Sequence, residues 1–163
     1  MKIRILSREG IEKLAQKQFP VKTAVISIAD YCYEPADLKY QPDYLLQLAF
    51  DDVDADVFAD ELGKDFAPED RLAVEAKYHM LSDEQAQKIA EFYRSVRDHV
   101  EVLICQCEHG QSRSAAVAAA ILEFRSRRGV DVFSNDNYYP NKVVFRRVLA
   151  ALKDQIPVYD KVD

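Results

Sequence analysis

Residues 105–114 read Cys-Gln-Cys-Glu-His-Gly-Gln-Ser-Arg-Ser. Five residues separate Cys107 from Arg113, with Gly110 among them, and hydroxyls stand at Ser112 and Ser114. An apolar run (Val100, Val102, Leu103, Ile104) leads in, and an Ala-rich run (Ala115 to Leu122) leads out. A strand, a tight loop and a helix N-terminus make an anion site, because unpaired backbone N–H groups converge there. A cysteine at the start of such a loop and an arginine at its end add a nucleophile and a clamp for a phosphate ester. Only a thiolate attacks, and amides beside a guanidinium favour thiolate over thiol. A planar guanidinium grips two phosphoryl oxygens in parallel, which an ammonium cannot do. Glycine lets the backbone take a positive φ and approach the phosphate closely.

This pattern resembles the phosphate-binding loop of the cysteine-dependent protein tyrosine phosphatases, nearest to their compact dual-specificity-like branch. The likeness is tight over 102–122 and loose elsewhere. It implies that Cys107 attacks phosphorus and that Arg113 holds the transferring group. The backbone of Glu108, His109, Gly110, Gln111 and Ser112 would wrap the phosphoryl oxygens. Ser114 would donate a hydrogen bond to the Cys107 sulfur and help it leave. The resemblance also implies an α/β fold: a central, mostly parallel four-stranded sheet of order 1-4-2-3, flanked by helices. No cofactor or metal is implied.

Two departures from the family pattern bear on the site. Gln106 stands where histidine is usual, and its amide can still order the loop by hydrogen bonding. Glu108 follows the nucleophile directly, and its charge disfavours highly anionic substrates such as polyphosphorylated inositides. The alternative reading is a weak or inactive pseudo-phosphatase that holds phosphoproteins with the same loop. A rhodanese-type sulfurtransferase would not need the Ser-Arg-Ser ending. A low-molecular-weight tyrosine phosphatase would carry its loop near the N-terminus.

A phosphate monoester leaves as a protonated oxygen, so the chemistry needs an acid from another loop. Leu45 to Phe50 reads as a strand, and acids follow at Asp51, Asp52 and Asp54. Ligands of open parallel sheets bind beyond the carboxyl ends of strands. By the resemblance, the order Leu48-Ala49-Phe50-Asp51-Asp52 puts Asp52 at the acid's place, with Asp51 second and Asp54 third. Residues 53–80 then form an inserted helix or lid. Asp52, Asp54 and Asp56 also invite a calcium reading, but Val57 and Gly63 occupy the places of the required glycine and glutamate.

Composition places the chain as one phosphatase-like domain over residues 1–163. A hydrophobic content of 48% argues against disorder. The net charge of −6 argues against nucleic acid and membrane surfaces as partners. The expected partner is a phosphorylated protein or a small phosphomonoester. Arg125, Arg127, Arg128, Arg146 and Arg147 read as solvated helix faces. Three cysteines, with no signal-peptide core, fit a reducing cytoplasm. By analogy with some phosphatases of this class, Cys32 is a candidate resolving thiol for an oxidised Cys107. Cys105 is a weaker one.

The remaining elements are legible from pattern. Lys2 to Leu6 alternates as a strand, and Ser7 caps a helix running to Gln18. Thr23 to Ala29 is a β-branched strand followed by a loop from Asp30 to Asp43. Pro68 breaks the 53–80 insertion. Ser82-Asp-Glu-Gln85 is a capping box for a helix burying Ala86, Ile89, Ala90, Tyr93 and Val96. Val100 to Cys105 is the fourth strand. Arg113 to Arg128 is a helix closed by Gly129 at its C′ position. Asn141 opens a last helix with Val144, Val148 and Ala151 on its face.

Overall fold

A computed structural model describes residues 1–154. Four parallel strands form one sheet: β1 (Lys2–Leu6), β2 (Thr23–Ala29), β3 (Tyr44–Ala49) and β4 (Val102–Gln106). Their order is β1-β4-β2-β3, as expected. The loop-bearing strand β4 therefore lies inside the sheet. Among the described residues seven helices flank the sheet: α1 (Arg8–Leu14), α2 (Asp56–Leu62), α3 (Pro68–Lys77), α4 (Asp83–Val96), α5 (Arg113–Ser126), α6 (Val130–Phe133) and α7 (Lys142–Leu152).

The period-2 alternation of the strands sorts side chains between two cores. Ala24, Ile26 and Ile28 of β2, with Leu103 and Cys105 of β4, face α4, α5 and α7. Val25 and Ile104 face the other way, onto Ile11 and Ala15 of the first helical segment. Every residue of β2 is buried, the mark of a strand covered on both faces. On α5, Ala115 through Ile121 are all fully buried. Its small side chains admit the sheet on one side and α7 on the other, so it carries no amphipathic stripe.

Local signals place the helix starts. The Ser7 Oγ accepts from Gly10 N at 3.0 Å. Ser82 and Gln85 close the capping box, each accepting from the other's backbone N–H at 3.1 Å. The Asn141 Oδ1 accepts from Val144 N at 3.0 Å. Pro68 is the first residue of α3, where its missing N–H costs nothing.

Three expectations change. The helix after Ser7 stops at Leu14, well short of Gln18. Helix α5 ends at Ser126, and its left-handed cap is Arg127 with φ 58°, not Gly129, whose φ is −57°. Gly129 is required for space: a Cβ there would meet the Glu123 Cβ at 2.8 Å and the Ala119 carbonyl at 2.9 Å. Arg147 is not on a solvated face. It is buried, donating from Nη1 to the Leu81 carbonyl and from Nη2 to Glu75, each at 2.5 Å. Glu75 also pairs with buried Arg71 at 2.7 Å. This shared carboxylate ties α3 to α7, and a buried guanidinium demands such a partner.

Candidate active site

The loop after β4 is pinned from below. The Cys107 N–H donates to the Leu6 carbonyl at 3.3 Å, and the Arg8 N–H to the Glu108 carbonyl at 3.0 Å. These bonds run the end of β4 against the β1–α1 junction. Gly110 sits at φ 68°, and a Cβ there would lie 2.6 Å from Ser7 N. Only glycine satisfies both the left-handed backbone and that approach.

The two residues flanking the thiol are both anchored. Gln106 is buried; its Oε1 accepts from Ser27 Oγ at 2.6 Å, and its Nε2 donates to the Cys107 carbonyl at 2.9 Å. Ser27 and Gln106 are register partners across β2 and β4. The glutamine thus orders the start of the loop. Cys107 is 2% exposed and Ser114 fully buried, and the Cys107 Sγ lies 3.0 Å from the Ser114 Oγ.

Arg113 is the first residue of α5 and only 3% exposed. Its Nη1 donates to the Phe50 carbonyl at 2.7 Å and pairs with Asp30 Oδ1 at 2.6 Å. Its Nε is buried without a hydrogen-bond partner among the described residues. A guanidinium fixed at one edge and undischarged elsewhere suits an incoming oxyanion.

Of the three candidate acids, the structure brings Asp52 to the loop. The Asp52 Oδ1 accepts from Ser112 Oγ at 2.8 Å and from Asn141 Nδ2 at 2.9 Å. Asp52, Cys107, His109, Gln111, Ser112, Arg113 and Tyr139 line one cleft of about 270 Å³. Asp51 is absent from that cleft; it accepts from the Tyr31 N–H at 2.9 Å and lines the neighbouring cleft instead. Asp54 accepts from the next amide, Ala55 N, at 2.7 Å, as a local turn acceptor. His109 and Gln111 are exposed at the rim, and Glu108 leans toward Arg8, Oε2 to Nη1 at 3.5 Å.

The cysteines fall into three environments. Cys32 is exposed and lines a neighbouring cleft that also touches Asp52, His109 and Arg113. Cys105 is fully buried, and burial, seconded by the charge of Cys107, pushes its thiol up to about 12. It is inert as a nucleophile at neutral pH.

No family model and no curated protein matches the sequence. The chain is similar to Tk-PTP in its active form, with TM-score 0.54 and 18% identity, covering 96% of this chain and 94% of that one. It is also similar to PTPMT1 in complex with PI(5)P, with TM-score 0.53 and 11% identity, covering 94% and 91%. The chain has the protein tyrosine phosphatase fold.

Within that phosphatase fold, several contacts at the site had no sequence signal. Asp30 opens a loop whose acids look alike, and nothing local marks it as the partner of Arg113. Asn141 is legible as a helix cap but not as a donor to Asp52. His79 takes φ 50°, rare for a non-glycine residue. Its carbonyl accepts from Asp51 N at 2.8 Å, and its ring stacks on Tyr31 at 3.6 Å. That pair fixes the strand-end acids from the outside. The run of β3 into Asp52 was the available hint, since it fixes which acids clear the sheet edge.

Proposed function

We propose that this chain hydrolyses phosphate monoesters of proteins through a cysteinyl-phosphate intermediate. The observation that carries the reading is the convergence of the Cys107 thiol, the Arg113 guanidinium and the Asp52 carboxylate on one cleft. The phosphatase fold supports it. The single phosphatase-like domain spans 1–163 in this reading, its last nine residues lying outside the described ones.

The Cys107 thiolate attacks phosphorus, the Sγ–P bond forms, and the P–O bond to the leaving group breaks. Asp52 delivers its proton to that oxygen. Oδ1 already accepts from Ser112 and Asn141, so the transferable proton sits on Oδ2. The ionised Asp52 then takes a proton from water, whose oxygen attacks phosphorus and releases the thiolate. Ser114 Oγ–H donates to the departing sulfur. Arg113 and the amides of 108–113 hold the equatorial oxygens in both steps, tightening as charge spreads over them. The residues supply the nucleophile, the acid and the anion clamp themselves, so the steps call on no metal.

Phosphotyrosine is the favoured substrate, and phosphoserine or phosphothreonine the weaker one. Cys107 is 2% exposed within its cleft, a burial that a long, flat aryl phosphate reaches past more readily than a short alkyl one. The test is hydrolysis of an aryl phosphate with a chelator present. Cys107→Ser should lose turnover and keep phosphate binding. Turnover undiminished in Cys107→Ser would overturn the mechanism. Phosphate binding without turnover in the unaltered protein would turn the reading to a pseudo-phosphatase.

A further inference from the structure

Beside the phosphate pocket lies a second cleft of about 390 Å³, whose walls include Asp30, Asp51, Asp52, Glu108, Tyr33 and Arg113. It shares Asp52, His109 and Arg113 with the Cys107 cleft. Groups next to a phosphate held at Cys107 therefore face it.

Its charge is out of balance. Arg113 is the one guanidinium or ammonium among the described residues lining it. That residue is already paired through Nη1 with Asp30 Oδ1 at 2.6 Å, and it is 3% exposed, with Nε buried and without a partner among the described residues. Asp51 is held by a neutral donor, the Tyr31 amide. Asp52 is held by two more, Ser112 and Asn141. Glu108 faces Arg8 at 3.5 Å, but the same Arg8 nitrogen donates to the Glu34 carbonyl at 2.9 Å. With Arg8 counted and Asp52 protonated, carboxylates still outnumber guanidiniums. A phosphate dianion then deepens the deficit. Tyr33, 69% exposed, offers a ring face at the same rim.

We propose that this cleft is a subsite for a cationic side chain of the substrate: lysine or arginine close to the phosphorylated residue of a protein. The proposal rests on the phosphatase reading and names its substrate class. A ligand filling both clefts must extend past the phosphate, as a peptide does. A cation there offsets the carboxylate charge that Arg113, paired with Asp30, and Arg8 leave uncompensated, and it can stack on Tyr33.

The experiment compares three phosphotyrosyl peptides that differ only in flanking residues: arginine, alanine or glutamate. The arginine peptide should exceed the alanine peptide about tenfold in kcat/KM at low salt, with the glutamate peptide below both. The preference should shrink in about 0.5 M salt. The double change Glu108→Gln with Asp51→Asn should narrow the arginine-to-alanine ratio, whatever it does to the absolute rates. Tyr33→Ala should leave small aryl phosphates unaffected and trim the same ratio about two- to fivefold. Equal rates for the three peptides, or a preference for glutamate, would overturn the subsite while small aryl phosphate turnover left the phosphatase reading intact. If no ester is cleaved, that reading falls, and the same ranking is measured as Kd of the three peptides. An unranked Kd series then removes the subsite too.

Discussion

Asp52 and Asn141 are 89 positions apart in the chain and 2.9 Å apart in space. The asparagine reads both ways at once. Its Oδ1 accepts from Val144 N at the start of α7, which leaves Nδ2 to face Asp52 Oδ1 and the Val53 carbonyl at 3.1 Å. The helix cap thereby fixes which end of the amide meets the acid. The strand-end acid and the last helix are held as one unit.

That coupling separates positioning from stability. Asn141→Asp keeps a good cap, whereas Asn141→Ala should cost about 1 kcal/mol of stability. Both should slow hydrolysis of a poor leaving group far more than that of a good one, because in the proposed mechanism only the former needs a proton from Asp52. Denaturant unfolding measures the first effect, and a leaving-group series the second. A uniform loss across leaving groups would assign Asn141 a structural role alone.

Asp52→Asn should show the same leaving-group split in stronger form and flatten the basic limb of the pH–rate profile. Asp51→Asn should not. Asp51 points to the Tyr31 amide, so its loss should disturb the 30–33 loop instead.

Arg113→Lys is expected to lower kcat/KM about 10²- to 10³-fold despite keeping the charge. An ammonium cannot hold the Phe50 carbonyl and Asp30 while also presenting a planar fork to phosphate. Near-normal turnover in the lysine variant would mean that Arg113 acts through charge alone.

Gly110→Ala should destabilise the protein by about 1–3 kcal/mol or displace the loop. Its new Cβ meets backbone atoms, Ser7 N at 2.6 Å and Leu6 C at 2.7 Å, which no rotamer change relieves. Phosphate affinity should fall with it. Unfolding curves and phosphate titration read the two effects separately.

Cys105 gives a pH prediction. Its folded-state value is raised from 9.0 to about 12 by burial, so between those limits the unfolded chain ionises and the folded chain does not. The folded state then binds more protons, and stability falls as pH rises through that window, by up to about 1.4 kcal/mol per pH unit from this residue. Cys105→Val should remove that slope relative to the unaltered protein. At neutral pH, a thiol-alkylating reagent should spare Cys105 and reach exposed Cys32.

The sequence alone determined what is local. The 105–114 spacing, the β-branched run of β2, the Ser82 capping box and the cap at Asn141 each depend on neighbours a few residues away. Steric and hydrogen-bond rules at that range read directly from residue type. The strand order and the first place given to Asp52 both followed from the resemblance, not from periodicity. What only the tertiary structure decided lies across the sheet edge. The pairing of Asp30 with Arg113, the bond from Asn141 to Asp52 and the Ser27–Gln106 contact join residues from separate strands and loops. Arginines also differ by context alone. Arg147 looked like its neighbours on a solvated face, yet it is buried because Glu75 of α3 comes to meet it. A charge is buried only where a partner is delivered, and delivery is a property of the assembled chain.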